Sequence, residues 1–233
     1  MVMGNKSQLY MLESCPFCWK VRGLVEYLNI PYESIPINPM KAKKTLPSAP
    51  EWTKTPVWVD EDKSVIVDST PIMIHIDEKY NQGNLWNSGD IQRRDQWKEW
   101  VDTRLSKATI PILYGSLLSA FTTTLRVSKM EKFGFFSRQL YAWAGFPVMW
   151  GFIAKKRVKN DGRKPKKLWH DLLDEFTHAF DNKPFFGGET PDMIDFLAYG
   201  YVSSISPFPQ FKHIKEHQHG IGWYQRMRNQ HKS

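Results

Sequence analysis

A Cys-x-x-Cys pair between a strand pattern and a helix pattern constrains the fold of this chain more than any other feature. Cys15 and Cys18 are the only cysteines in 233 residues, and they follow a short apolar strand pattern from Gln8 to Leu12. After them, apolar residues recur with helical spacing at Val21, Leu24, Val25 and Leu28. Because cysteines three positions apart close no long loop, we expect them to be reactive or to bind a metal.

Residues 8 to 80 continue this alternation of short strands and helices. Three further strand patterns follow the first helix, at Tyr32 to Ile37, Val57 to Val59 and Val65 to Val67. A helix is predicted from Thr70-Pro71 to about Tyr80, with the proline at the first helical position. The order β-α-β and then β-β-α predicts an α/β thioredoxin-like N-terminal domain over residues 1–80.

Strand patterns end at the polar, glycine-containing segment 81–90, which we interpret as a linker. Helical patterns follow at Ile91 to Leu105, Thr109 to Val127, Phe133 to Arg157, Lys167 to Phe180, Asp192 to about Ser203 and, briefly, near Gly222. Asp192 followed by Asp195 has the spacing of a capping box. The sequence therefore predicts an all-α domain over residues 91–233.

The position of Cys15 at a helix start indicates a nucleophile. Unpaired N–H groups and the positive end of the helix dipole favour the thiolate and lower the pKa from about 8.5. Cys18, one turn further in, is expected to be less accessible, which suits a resolving thiol. The alternatives are inert buried cysteines or a zinc site, which would need two more ligands. His213 and His217 are far away in the sequence, and we expect them to be solvated.

Two segments have the composition of a site for a peptide-like ligand. In Lys54-Thr55-Pro56-Val57, a cis Pro56 would leave the N–H and C=O groups of Thr55 free to pair with such a ligand. An ordinary edge-strand proline is the alternative.

The second segment is Asp68-Ser69-Thr70-Pro71, where the fourth strand gives way to a helix. The helix N-terminus and a hydroxyl would bind a carboxylate, while Asp68 accepts from an ammonium group. Simple N-capping by Ser69 or Thr70 is the alternative.

Longer stretches of the chain resemble one known family. They are CPFCWKVRGLVEYLNIPYE at the front, EKFGFF and KKRVK in the middle, and KPFFGGETPDMIDFLAYG near the end. With the features above, they resemble the glutathione transferase superfamily, and within it the type-2, membrane-associated prostaglandin E synthase branch. That branch carries a tyrosine three residues before its first cysteine, where this chain has Leu12.

The resemblance implies glutathione in a cleft between the domains, a homodimer and, as in some members, haem bound together with glutathione. It implies Cys15 and Cys18 as catalytic residues and Phe17, Lys54, Thr55, Pro56, Asp68 and Ser69 as substrate-binding residues. The predicted function is glutathione-dependent thiol chemistry on a small electrophile or peroxide, by transfer, thiol–disulfide exchange or isomerisation. The alternatives are a non-catalytic protein that binds glutathione with haem or a lipophilic ligand, and an interaction scaffold.

The positive charge is concentrated in one segment. The formal net charge is +8, and Lys155 to Lys167 has eight basic residues against Asp161 alone. We expect a solvated loop, since Gly162 and Pro165 interrupt helices, with peripheral contact to an anionic membrane as the alternative. We expect no nucleic-acid partner.

Two segments lack charge, Ala108 to Leu125 and Gln139 to Ala154. Both contain residues that suit a membrane span poorly, so we expect buried helices of the second domain. The polar N-terminus shows no secretory pattern, and the expected location is cytoplasmic or peripheral to a membrane.

Overall fold

The protein is described by a computed structural model that covers residues 6–131 and 147–230. Its first part contains β1 (Ser7–Met11), α1 (Pro16–Tyr27), β2 (Tyr32–Pro36), a 3-10 turn (Pro39–Lys41), α2 (Ala42–Thr45), β3 (Val57–Val59), β4 (Val65–Val67) and α3 (Ser69–Asn81). The α/β thioredoxin-like fold predicted for this part is therefore confirmed.

The sheet brings the cysteine turn and the segment with Thr55 and Pro56 to the same edge. Its strand order is β2-β1-β3-β4, with β1 parallel to β2 and antiparallel to β3. Tyr10, near the end of β1, pairs with Val57, the first residue of β3. The turn after β1, which leads to Cys15, therefore lies beside the segment before β3, which holds Thr55 and Pro56.

The rest of the described chain is helical, as predicted. It contains α4 (Ile91–Trp100), a π-helical stretch (Val101–Leu105), α5 (Ser106–Tyr114), α6 (Leu117–Met130), a second π-helical stretch (Val148–Ala154), α7 (Lys155–Asp161), α8 (Pro165–His178), α9 (Met193–Ile205), a 3-10 turn (Pro209–Phe211), α10 (Lys212–Lys215) and α11 (Gln218–Gln230). The division into domains at residues 81–90 stays a prediction.

Three helix boundaries differ from those predicted. The single helix expected from Thr109 to Val127 is broken after Gly115, where a Cβ would lie 2.3 Å from the Pro111 carbonyl oxygen. Ser116 then starts α6 as its N-cap and forms a capping box with Ser119. The helix near Gly222 is longer than expected, because α11 has 13 residues.

The third difference concerns the helix expected from Phe133 to Arg157. Its residues 133–146, the first half of the segment Gln139 to Ala154 and most of EKFGFF lie outside the described residues. The described end of this helix continues through α7 to Asp161, where Gly162 ends it with a φ of +79°.

The basic segment Lys155 to Lys167 is therefore not the loop we expected. It forms α7, a short turn and the beginning of α8, with Pro165 in the first turn of α8. Gly162 and Pro165 separate two helices because glycine suits a helix end and proline a helix start.

Helices α1 and α9 pack very closely and form the centre of the molecule. A Cβ on Gly200 would lie 2.4 Å from Cγ of Lys20, and one on Gly23 would lie 2.9 Å from the ring of Tyr199. Every residue of α9 is buried. This contact joins the sheet part to the helical part, and it fixes the elements that carry the cysteines.

The charge-free segment Ala108 to Leu125 is only partly buried. Residues of α5 are buried as expected, but Leu117, Leu118 and Phe121 are more than half exposed. In the described ranges no single helix is long and apolar enough to cross a membrane. The pair Ile91–Tyr114 and Leu117–Met130, bent by 98° at its break, meets the length and composition criteria only when taken together.

Candidate active site

Cys15 stands at the N-cap of α1. The backbone of Cys15 is extended, and Pro16 occupies the first helical position. The Cys15 carbonyl accepts a hydrogen bond from the Trp19 N–H at 3.1 Å. The side chain is half-buried, whereas Cys18 is completely buried. The predicted difference in accessibility between the two sulfurs is thus present in the structure.

The surroundings shift the pKa values of the two thiols in opposite directions. The pKa of Cys15 is lowered by a hydrogen bond from the Cys18 thiol, against a desolvation that raises it, and by the N–H groups of Cys18 and Phe17 and the Thr55 hydroxyl. Burial raises the pKa of Cys18, and its hydrogen bond to Cys15 raises it further. Cys15 is therefore the thiol of the pair that loses its proton more readily, with Cys18 as its hydrogen-bond donor.

Thr55 lies beside this pair of cysteines. The Thr55–Pro56 peptide bond is cis, the form that pairing of Thr55 with a peptide-like ligand requires, and a second cis bond joins Ala49 and Pro50. The Thr55 side chain hydrogen-bonds to Cys15, so this segment approaches the sulfur directly.

Asp68 and Ser69 begin α3, but the cap differs from the one expected. Asp68 is the N-cap, and its carboxylate accepts from the Ser69 N–H at 2.6 Å. Pro71 consequently occupies the third helical position. The backbone of Asp68 has a φ of +70°, which non-glycine residues seldom adopt. The Asp68 carboxylate is exposed, whereas Ser69 is buried.

Phe17 and Lys54 point to different places. The exposed Phe17 ring meets the edge of Tyr201 with centroids 5.9 Å apart, next to the cavity described below. The Lys54 ammonium lies over the Trp52 ring, 5.5 Å from its centroid, and the Lys54 carbonyl accepts from the Trp52 indole at 2.8 Å. Lys54 is thus engaged locally with Trp52.

A carboxylate from the end of α6 holds the turn in front of Cys15. Glu131, which is buried, accepts from the backbone N–H groups of Glu13 at 2.9 Å and Ser14 at 2.8 Å, and from the Ser14 hydroxyl. Burial raises the pKa of Glu131, and these hydrogen bonds lower it in part. Sequence reasoning missed this residue, because nothing in the local spacing relates two groups 117 positions apart.

A buried ion pair lies one turn behind the cysteines. Lys20 is 1% exposed, and its ammonium is 3.1 Å from Asp102, which also pairs with Lys98 at 2.9 Å. Burial lowers the pKa of Lys20, and the charge of Asp102 opposes this. Lys20 precedes Leu24 by four residues and so belongs to the apolar face of α1, a signal that could have revealed its burial.

A cavity of about 300 Å³ opens beside Cys15. Its described wall is mainly apolar and comes from several helices, with Ile110, Leu113, Val127, Met149 and Phe208 among its residues. Polar groups enter this wall at Ser106, Thr109, Arg157 and Tyr201. The arrangement suits a ligand with an apolar body whose reacting atom meets the Cys15 sulfur.

Of the two histidines considered as zinc ligands, His217 has hydrogen-bond partners of its own. His217, expected to be solvated, is buried: Nε2 lies 2.9 Å from Asp174, and Nδ1 accepts from the Gly220 N–H at 2.9 Å. It anchors the start of α11 because Asp174 on α8 is within reach. In the described part of the chain, no cluster of three or more metal-ligating side chains is present.

Known proteins match both parts of the chain. Residues 9–84 match the family model described as glutathione S-transferase, N-terminal domain. Prostaglandin E synthase 2 from Danio rerio is 25% identical over 95% of this chain and 70% of its own length, and the Mus musculus protein of that name is 22% identical over 97% and 71%.

A solved structure shares the complete fold. Glutaredoxin 2 from Salmonella typhimurium in complex with glutathione superposes with a TM-score of 0.66 at 16% identity, over 98% of this chain and 95% of that one. The capping box predicted at Asp192 and Asp195 is also present, with Asp195 accepting from the Trp223 indole. The chain therefore has a glutathione transferase-like fold, and it resembles the glutathione transferase superfamily and, within it, prostaglandin E synthase 2.

Proposed function

We propose that this protein is an enzyme of glutathione-dependent thiol chemistry in which the Cys15 thiolate is the nucleophile. The observation that carries the proposal is the position of Cys15 at the N-cap of α1 beside the apolar cavity, half-buried, with Cys18 completely buried one turn further in. The lowered pKa of Cys15 and the raised pKa of Cys18 agree with this arrangement. A thiolate attacks electrophilic sulfur, carbon or peroxide oxygen, and a protonated neighbour suits later resolution of the adduct.

Glutathione would bind along the edge formed by Thr55, Asp68 and Ser69. The cysteinyl part of glutathione would pair with the Thr55 backbone beside the cis Pro56, close to the Cys15 sulfur. Its γ-glutamyl carboxylate suits the N-terminus of the 13-residue helix α3 at Ser69. Its ammonium group suits the exposed Asp68 carboxylate, since only one oxygen of that carboxylate is used in capping.

Thiol–disulfide exchange at this site would proceed in two steps. The Cys15 thiolate attacks one sulfur of a disulfide, a new S–S bond forms, and the other sulfur leaves as a thiolate. Glutathione, or Cys18 after losing its proton, attacks the mixed disulfide and returns Cys15. The apolar cavity would accept the organic part of the substrate.

The finer assignments are proposals of the same kind. The similarity to prostaglandin E synthase 2 supports an isomerase of that kind, although Leu12 takes the place of the tyrosine that the resemblance implies. The homodimer, the haem site, the cytoplasmic location and membrane contact through Lys155 to Lys167 stay predictions.

Matched serine variants test the proposal. With glutathione and bis(2-hydroxyethyl) disulfide, we expect Cys15→Ser to abolish exchange while the circular dichroism and thermal transition are kept. Cys18→Ser should retain most of the rate, since glutathione can resolve the adduct. Equal losses of activity in both variants would contradict the proposal. A wild-type protein that binds glutathione but shows no turnover would favour the non-catalytic alternative.

A further inference from the structure

A buried tyrosine of α9 lines the cavity beside Cys15, and its hydroxyl has no hydrogen-bond partner among the described residues. Tyr201 is 1% exposed and lines the same cavity as Cys15, and its hydroxyl makes no hydrogen bond within the described residues. The nearby Ser106 hydroxyl lowers the pKa of Tyr201, but it donates its own hydrogen to the Asp102 carbonyl. A buried hydroxyl without a partner calls for an explanation.

The surroundings fix the ring and keep the phenol protonated. Phe17 meets the ring edge-on at 5.9 Å, and the Lys20 ammonium lies 4.5 Å from its centroid. Burial raises the pKa of Tyr201, and the negative charges of Asp102 and Cys15 raise it further. At neutral pH the group is therefore a hydrogen-bond donor with a set position, next to a nucleophile that carries negative charge.

We infer that Tyr201 is a further catalytic residue, which donates a hydrogen bond to the leaving oxygen of an organic hydroperoxide attacked by Cys15. This inference rests on the proposed function and specifies one substrate class for it. An alkoxide is a poor leaving group that gains from a positioned donor, whereas a thiolate leaves readily without one. The apolar wall of the cavity suits the organic group of the peroxide.

The reaction balances with glutathione as the reductant. The Cys15 thiolate attacks the terminal peroxide oxygen, an S–O bond forms, and the O–O bond breaks. The alkoxide takes a proton from Tyr201, which regains it from water, so the products are an alcohol and the Cys15 sulfenic acid. One glutathione thiol converts the sulfenic acid to a mixed disulfide and water, and a second releases glutathione disulfide and the Cys15 thiolate.

Two tyrosine variants and two substrates test the inference. Tyr201→Phe removes the cavity hydroxyl and keeps the ring, and Tyr199→Phe removes the hydroxyl of a buried tyrosine on the same helix. Tyr199 stacks on Tyr224 at 5.4 Å and lines a different groove with Trp19. Cumene hydroperoxide reduction is compared with exchange on bis(2-hydroxyethyl) disulfide, both with glutathione.

We expect Tyr201→Phe to lower the ratio of peroxide to disulfide rates by about 10²-fold, the lower end of what a positioned acid contributes. Tyr199→Phe should leave that ratio unchanged. An unchanged ratio in Tyr201→Phe, or a wild type that reduces the disulfide but not the peroxide, would overturn the inference alone. A wild type inactive on both substrates would instead refute the proposed function.

A second peroxide guards against a misfolded variant. Peracetic acid releases acetate, which needs no proton at neutral pH, so Tyr201→Phe should reduce it at close to the wild-type rate. A folding defect would depress peracetic acid and cumene hydroperoxide reduction equally, and that result would also overturn the inference.

Discussion

The buried pair between Lys20 and Asp102 provides a sharp test of the interior next to the active site. Lys20 is 1% exposed, while Asp102 is 31% exposed and has a second partner in Lys98. Removing one partner of a buried pair leaves an uncompensated charge, which typically costs about 3–5 kcal/mol. The two halves of this pair should therefore respond very differently to substitution.

Asp102→Asn leaves the Lys20 ammonium buried without its counter-ion. Nearby aromatic faces, 4.5 Å away at Tyr201 and 5.3 Å at Phe17, recover part of the loss. We expect a reduction of about 3 kcal/mol in the free energy of unfolding. For a chain of this size, that lowers Tm by about 6–12 °C.

Lys20→Met keeps a similar volume and leaves Asp102 paired with the half-exposed Lys98. Its expected cost is about 1 kcal/mol, or about 2–4 °C in Tm. Lys98→Met is the matched control, because it removes a surface ion pair with the same carboxylate at a cost of less than about 1 kcal/mol.

The same pair predicts a pH dependence with a defined sign. Because the pKa of folded Lys20 is lowered, the unfolded chain binds more protons between that pKa and about 10.4. The contribution of Lys20 to stability therefore rises with pH across this window, and Lys20→Met should remove it. Chemical denaturation of the three variants at several pH values measures both the free energies of unfolding and their pH dependence. A loss in Lys20→Met equal to or greater than that in Asp102→Asn would refute the reasoning.

Three other substitutions test separate parts of the account. Glu131→Gln replaces an acceptor by a donor facing the N–H groups of Glu13 and Ser14, so calorimetry should show a loss of about 1.5–3 kcal/mol. A Tm within 1 °C of the wild type would contradict this. Asp68→Ala should weaken glutathione binding by about 1.5–3 kcal/mol through loss of a charged partner; titration calorimetry that finds the affinity unchanged would leave Asp68 as a cap only. If Lys155 to Lys167 contacts membranes, sedimentation with anionic vesicles should fall as salt is added and disappear when its lysines become glutamine, whereas no association at low salt would exclude the contact.

Local patterns predicted the parts of the site that depend on nearby residues. The Cys15 motif, the strand at Val57 and the capping box at Asp192 follow from spacing and turn chemistry within a few residues. The cis Pro56 was predictable because the order of strands identified which proline faces the cysteine turn. Such features are written in consecutive residues and need no knowledge of long-range packing.

Partners distant in the sequence were not predictable in this way. Glu131 contacts Ser14 only because α6 ends beside the cysteine turn, and Lys20 finds Asp102 only because α1 packs against the helical part. Tyr201 lies in a helix that is buried on every side, so its hydroxyl gives no periodic signal. Periodicity identifies which face of a helix is buried but not what that face contacts.

The helix break at Gly115 shows a related limit. The segment from Thr109 to Val127 has good helical periodicity, and a glycine within it is only a modest cost. The break depends on the capping box that Ser116 forms with Ser119 and on the close approach to Pro111. These contacts compete with helix continuation, and only the folded chain shows which of them prevails.

The most direct test of the central claim is iodoacetamide labelling of the native protein across pH, with the two cysteines resolved by peptide mapping. Because the pKa of Cys15 is lowered and that of Cys18 is raised, labelling at Cys15 should have its midpoint below the value of about 8.5 for free cysteine. Cys18 should stay unlabelled until the chain is denatured. A Cys15 midpoint at or above 8.5, or earlier labelling of Cys18, would contradict the account.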